Sequence, residues 1–211
     1  MAKPIQFDYS VFINCPFDSD YRPIVEAIIF TLQICRLEPR RADESFNTAH
    51  YRIEKILDII GSCRYGIHDI SRVQLSEGAY PRFNMPFEFG LDLACRKFGK
   101  SWHREKSLLV LDSDDNRYDT TLSDISGQDI KAHHNDPLRA IQCIRNWLVA
   151  SPWTLTRKLP GAVRITEWYS QFQNDMEAIA GEFHYDTGEL PFADFTNVVK
   201  VWLDRQSTSS I

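Results

Sequence analysis

The sequence predicts an α/β domain with a doubly wound parallel sheet, helices on both of its faces, and two more helices at its carboxyl end. Short β-like runs alternate with helical patterns over residues 1–150, the signature of successive β-α units. The composition then shifts after "ASPWTLTRKLPG", a connection with two prolines and a glycine, so residues 151–211 read as a helical extension packed on the domain or on a partner subunit. At 211 residues and 43% hydrophobic content, the chain can bury one sizeable core.

The elements follow in order. "SVFINC" at 10–15 is a buried strand, and "PFDSDYRP" is the loop behind it. Pro23 suits a first helical turn, and "IVEAIIFTLQIC" continues as a broadly apolar helix. "LEPRRA" holds a short second strand near Leu37. "YRIEKILDIIGSC" is a helix with Ile53, Ile56, Leu57 and Ile60 on one face and Gly61 as its stop. "CRYGIHDIS" is the third strand. In "RFNMPFEFGLDLACRKFG", Phe87, Gly90, Leu91, Ala94, Cys95 and Phe98 recur at helical spacing and mark the expected core-facing stripe. "SLLVLD" at 107–112 is the fourth strand and "DIKAHH" at 129–134 the fifth. Asp136 before Pro137 reads as an N-cap and first helical residue, with Leu138, Ile141, Ile144 and Leu148 on the buried side. Five such units suit a sheet of flavodoxin-like type, in which ligands sit beyond the carboxyl ends of the strands. Ile165, Trp168, Tyr169, Phe172, Met176 and Ile179 form the stripe of one carboxy-terminal helix, and Phe195, Val198, Val199 and Trp202 that of the other. Trp168 and Trp202 are candidate interface anchors.

Charge and cysteines narrow the classes. A formal net charge of -5 speaks against direct nucleic-acid binding. The five cysteines have no CxxC spacing and read as reduced thiols of a cytoplasmic protein. The most apolar window is interrupted by Glu26 and is too short to span a bilayer, so no membrane partner and no leader are expected. The absence of a Walker or GxGxxG loop removes support for a kinase or a hydride-transferring dehydrogenase.

Three segments converge on one rim in this arrangement: "NCPFD" after the first strand, "HDIS" after the third, and the helix start carrying Glu88. Asn14, Asp18, His68, Asp69 and Glu88 then come within reach of one ligand, and two carboxylates are the minimum equipment for breaking a glycosidic bond. The positive end of the helix is expected to keep Glu88 ionised. The plainer reading of Glu88 is a first-turn acid complementing the helix dipole, worth about 0.3–1 kcal/mol. Asp69 reads equally as a strand-end acid holding the next loop, and His68 as a packed strand histidine. Adjacent His133 and His134 would face opposite ways on a strand, so no metal site is expected. Cys15 reads as a buried thiol. The long loop 112–130 offers Tyr118 for stacking, with Arg72, Arg82 and Arg117 to compensate its acidity toward phosphates.

A strand ending in Asp69 within "CRYGIHDIS", followed by a helix opening on "FEFG" with Glu88 and Gly90, resembles the nucleoside 2-deoxyribosyltransferase family and, more distantly, Toll/interleukin-1 receptor (TIR) domains. "VFINCPFD" also resembles the opening of bacterial TIR-like proteins of phage defence. The resemblance covers roughly residues 10–150 as an order of elements. It implies that Glu88 is catalytic, as the glutamate that takes up the sugar in the transferases, and that Asp69 contacts substrate. Two departures stand in the motif: "NMPF" precedes Glu88 where the transferases have a small, glycine-containing approach, and Asp92 replaces their alanine.

The expectation is therefore cleavage of the N-glycosidic bond of NAD or a related nucleotide, as a glycohydrolase, cyclase or transferase making a signal in antiphage defence. Glu88 and Asp69 would be catalytic, with Asn14, Phe17, Asp18, His68, Arg82 and Tyr118 binding substrate. NAD would be substrate, with no cofactor, and the protein a homo-oligomer or bound to a defence-system partner. The alternatives are a nucleoside or deoxynucleotide glycosidase or deoxyribosyltransferase, and a non-catalytic nucleotide-sensing or assembly module.

Overall fold

The computed structural model describes residues 3–45, 47, 49, 51–73, 82–115, 122–125, 127–151, 158–186, 188 and 190–208. Five strands form one parallel sheet: β1 (Ser10–Asn14), β2 (Glu38–Arg41), β3 (Tyr65–Asp69), β4 (Ser107–Asp112) and β5 (Lys131–Ala132). Their order, β2-β1-β3-β4-β5, is flavodoxin-like, as the sequence predicts. The helices are α1 (Arg22–Ile34), α2 (Arg52–Ser62), α3 (Asn84–Phe98), α4 (Pro137–Ala150), α5 (Ala162–Glu182) and α6 (Phe192–Thr208).

Local chemistry explains several boundaries. Pro23 sits in the first turn of α1, where a missing N–H loses no helical bond. Asp136 caps α4 by accepting from the Leu138 N–H at 2.9 Å. β5 is shorter than the predicted 129–134, and past its carboxyl end His134 and Asn135, with φ of 53° and 56°, leave extended backbone.

The period-2 alternation of the strands sorts side chains onto two faces. Val11, Ile13, Tyr65, Ile67, Leu109 and Leu111 join α1, α4, α5 and α6 in the largest apolar cluster. Phe12 points the other way, to α2, and Val110 packs with Phe89 of α3. The carboxy-terminal helices are anchored on the sheet domain itself: the Phe30 ring of α1 lies 5.2 Å from Tyr169, 5.1 Å from Phe172 and 5.6 Å from Trp202. Trp202 is thus a core residue, 1% exposed, with its indole N–H donating to Asp175; this corrects its expected role as an interface anchor.

The predicted stripe of α3 needs a larger correction. Met85, Glu88, Phe89 and Asp92 face the interior, whereas Phe87 and Phe98 are 57% and 82% exposed. Only Leu91 and Cys95 of the predicted stripe pack against a core cluster. The polar end of β3 demands a hydrogen-bonding partner, so α3 turns Asp92 inward toward His68, and Glu88, one turn earlier on the same face, is carried inward with it. In α2, Ile56, Ile59 and Ile60 are buried, while Ile53 and Leu57 are exposed, as is Leu138 of α4, which corrects their expected place on the buried faces.

Candidate functional site

In this strand order the chain departs from β1 toward β2 and from β3 toward β4, which opens a crevice at the carboxyl ends of β1 and β3. Asn14 ends β1 there, paired in register with His68 of β3. The Asn14 side-chain amide donates to the Met85 carbonyl at 2.8 Å and to His68 Nδ1 at 3.1 Å. One side chain thereby pins the first turn of α3 over the crevice.

His68 continues the network beneath α3. With Nδ1 accepting from Asn14, its proton lies on Nε2 and faces Asp92 Oδ2 at 3.1 Å. Asp92 Oδ1 lies 3.1 Å from the Lys106 ammonium, and both side chains are fully buried. Lys106 also donates to the Ile60 carbonyl at 2.8 Å and to the Cys63 carbonyl, so it closes the carboxyl end of α2 as well. Gly66 makes room for this: a Cβ there would stand 2.5 Å from Asp92 Oδ2 and 2.9 Å from His68 Nε2.

Strand alternation carries Asp69 away from His68, into a second network on the α1 side of the sheet. Its Oδ1 accepts from the Ser71 N–H and its Oδ2 from His133 Nε2, both at 2.9 Å. Ser71 Oγ lies 3.1 Å from that same His133 nitrogen, while His133 Nδ1 accepts from the Asn135 N–H at 3.0 Å. A serine relay needs the acid on one imidazole nitrogen and the serine on the other. Here one nitrogen faces both, so the trio ties the end of β3 to the turn after β5. The structure therefore brings Asn14 and His68 together and holds Asp69 apart, fully buried with both oxygens engaged.

Glu88 stands one turn into α3 beyond Met85. Among Glu88, His68, Asp69 and Asp92, only Glu88 keeps solvent access, at 8% against 0% for the other three. It has no hydrogen-bond partner among the described residues. Burial pushes its carboxyl from the ordinary 4.5 up to about 7, with Arg52 pulling weakly the other way. The expectation of an acid kept fully ionised at neutral pH is corrected: as the fifth residue of α3 it gains little from the helix end, and desolvation wins.

Arg52 is the charged group that acts on this carboxyl, and it belongs to a cluster around Phe17. The Arg41 and Arg52 guanidiniums lie 4.9 and 5.9 Å from the half-exposed Phe17 ring. Asp18 is paired with Arg82 and, at 3.5 Å, with Arg72, which offsets its negative charge at the rim. Cys15 is buried beneath, and desolvation pushes its thiol up to about 12, so it stays protonated. Tyr118 and Arg117 lie outside the described residues. Among the described residues no cluster of three His, Cys, Asp or Glu side chains is arranged to hold a metal.

Sequence reasoning missed Asp92 as the partner of His68 and Lys106 as the partner of Asp92. The spacing of Asp92 four residues after Glu88 placed both on one helical face, and that signal was available. Lys106, just before β4, carried none. No protein-family model matches the chain, and no curated protein matches it significantly. No helix among the described residues is long and apolar enough to cross a membrane.

Proposed function

We propose that the crevice cleaves the N-glycosidic bond of NAD or a closely related nucleotide, with Glu88 as the group facing the sugar. The observation that carries this reading is a buried carboxyl at the topological switch point, near Arg52 and with no hydrogen-bond partner among the described residues. In the reaction the C1′–N bond breaks and its electron pair returns to the pyridinium, which leaves as neutral nicotinamide. Water adds to C1′ and releases a proton, giving ADP-ribose; an internal or external acceptor in place of water gives a cyclic or transferred product. Glu88 acts as the anion, stabilising the oxocarbenium-like transition state or attacking C1′. The cationic pyridinium of the bound substrate favours that anion, offsetting the upward push of burial.

The five free cysteines support a cytoplasmic setting. The exposed Phe83 and Phe87 at the start of α3, beside the crevice, support a homo-oligomer. A product serving as a signal in antiphage defence belongs to the same reading.

The near-neutral Glu88 carboxyl favours one second reading, a nucleoside glycosidase or deoxyribosyltransferase in which its protonated fraction assists departure of the base. Concentrated protein incubated with NAD and a mixed nucleoside pool, followed by mass spectrometry beside a Glu88→Gln control, tests both. Nicotinamide release that vanishes in the control and rises with pH through about 7 supports NAD cleavage by the anion. Free nucleobase, formed faster below that pH, supports the second reading. Full turnover by a folded Glu88→Gln protein would falsify both, and nucleotide binding without turnover would make the crevice a sensor.

A further inference from the structure

The outer side of α3 is apolar where a surface helix is ordinarily polar. Phe83, Phe87, Gly90, Ala94 and Phe98 lie within about 80° of one another around the helix axis, opposite Met85, Glu88, Phe89 and Asp92, and all five are exposed. Four of them, Phe87, Gly90, Ala94 and Phe98, belong to the stripe that the sequence marks as core-facing. On the other face of the sheet the apolar surfaces of α1 and α4 are covered by α5 and α6. At 69%, 57% and 82% exposure, the rings of Phe83, Phe87 and Phe98 leave about 400 Å² open to solvent, half of what each partner buries in a standard interface. Exposed Ile53 and Leu57 of α2, which packs against α3, add to that area.

We propose that this row is the contact of a two-fold dimer, in which α3 lies antiparallel on the α3 of a second copy of the chain. The row is its own complement, with large Phe87 and Phe98 at its ends and small Gly90 and Ala94 in its middle. In an antiparallel pairing Phe87 meets Phe98 of the second copy and Gly90 meets Ala94, so two aromatic pairs flank a close helix crossing. Such a self-complementary patch is what a two-fold axis requires. Charge agrees with this arrangement. The row itself carries none, and the exposed Arg96 and Lys97 beside Phe98 go to opposite ends of an antiparallel contact, where the two copies' cations do not meet. Exposed Glu54 and Asp58 of α2 would repel their counterparts, which centres the contact on α3. The proposal rests on the homo-oligomer of the proposed function, to which it gives a place and a symmetry, and it stands whether or not Glu88 cleaves a glycosidic bond.

Sedimentation equilibrium of the full chain over a range of concentrations reads the contact as a mass. A monomer–dimer equilibrium is expected, weakened at least tenfold by Ala94→Glu and by Phe98→Glu. Both positions are exposed, so the unfolding midpoints of these variants, measured where the parent is monomeric, are expected to match the parent's. The decisive measurement mixes a chain carrying Ala94→Glu with a chain carrying Ala94→Lys. Each alone is expected to stay monomeric where the parent is dimeric, and the mixture to regain the dimer, because the two-fold contact brings position 94 of both copies close together with opposite charge. A parent that is monomeric at every concentration, a dimer untouched by either substitution, or a mixture that stays monomeric overturns the proposal. None of these readouts depends on turnover, so an intact dimer without NAD cleavage counts against the proposed reaction and leaves this contact standing.

Discussion

On one face of the sheet, α1, α4, α5 and α6 form two tiers of helix over a continuous apolar core, with Phe30 at the junction of Tyr169, Phe172 and Trp202. On the other, α2 and α3 form a single tier, and the space beneath α3 is shared by two small apolar clusters and the buried chain Asn14, His68, Asp92 and Lys106. The thick face secures the fold by area, which tolerates approximate shape. The thin face depends on individually matched polar groups, and each must find its partner. Glu88 is a buried acid of that face with no hydrogen-bond or ion-pair partner among the described residues, which singles it out for chemistry.

The comparison breaks first at its strongest points. Phe30→Ala on the thick face and Asp92→Asn on the thin face are both expected to destabilise by about 3–5 kcal/mol, the first by opening an aromatic cavity and the second by leaving Lys106 buried and uncompensated. Urea unfolding measures both. The faces separate in the double variant Asp92→Leu/Lys106→Met, which is expected to recover most of the Asp92→Asn loss, whereas no polar repair restores Phe30→Ala. Failure of that recovery would mean the ion pair contributes net stability.

Gly66→Ala comes next, at roughly 1–3 kcal/mol, because its Cβ would intrude on Asp92 and His68. Its effect should be smaller in an Asp92→Ala background, where the nearest atom, Asp92 Oδ2 at 2.5 Å, is gone and the contacts with His68 and Leu108 at 2.9 Å remain, and a double-mutant cycle reads that directly.

The smallest expected effect on stability is that of Glu88→Gln, and its sign depends on pH. Folding raises the Glu88 carboxyl from 4.5 to about 7, so between these values the folded protein binds more protons than the unfolded chain. Stability from this group is therefore full below about 4.5 and is lost as pH rises toward about 7. Glu88→Gln should flatten that part of the profile and leave the protein at least as stable as the parent above it. Unfolding midpoints at a series of pH values test this, and an unchanged slope would mean that Glu88 is solvated rather than buried.

Much of the fold was legible because it follows from local rules. Pro23 in the first turn of α1 and the Asp136 cap of α4 act within a few residues of themselves, and the stripes of α5 and α6 are broad enough to survive any small rotation. The site was legible only by address: Asn14, His68, Asp69 and Glu88 lie at the predicted strand ends and on the predicted helix. Their grouping was not, since adjacent strand residues face opposite ways and send His68 and Asp69 to different networks. The stripe of α3 misled because apolar periodicity counts only hydrophobic burial, and here buried polar pairing set the helix rotation.

The sequence by itself determined the α/β class, the order of its elements and the two carboxy-terminal helices, because periodicity, caps and turn residues are read within one segment. Only the tertiary structure decided which face of α3 is buried, that Trp202 belongs to the core, and that Glu88 is pushed toward neutral pH. Each of those depends on what another segment brings to the same place: the polar ends of β1 and β3, the aromatic face of α1, and the exclusion of water from the crevice.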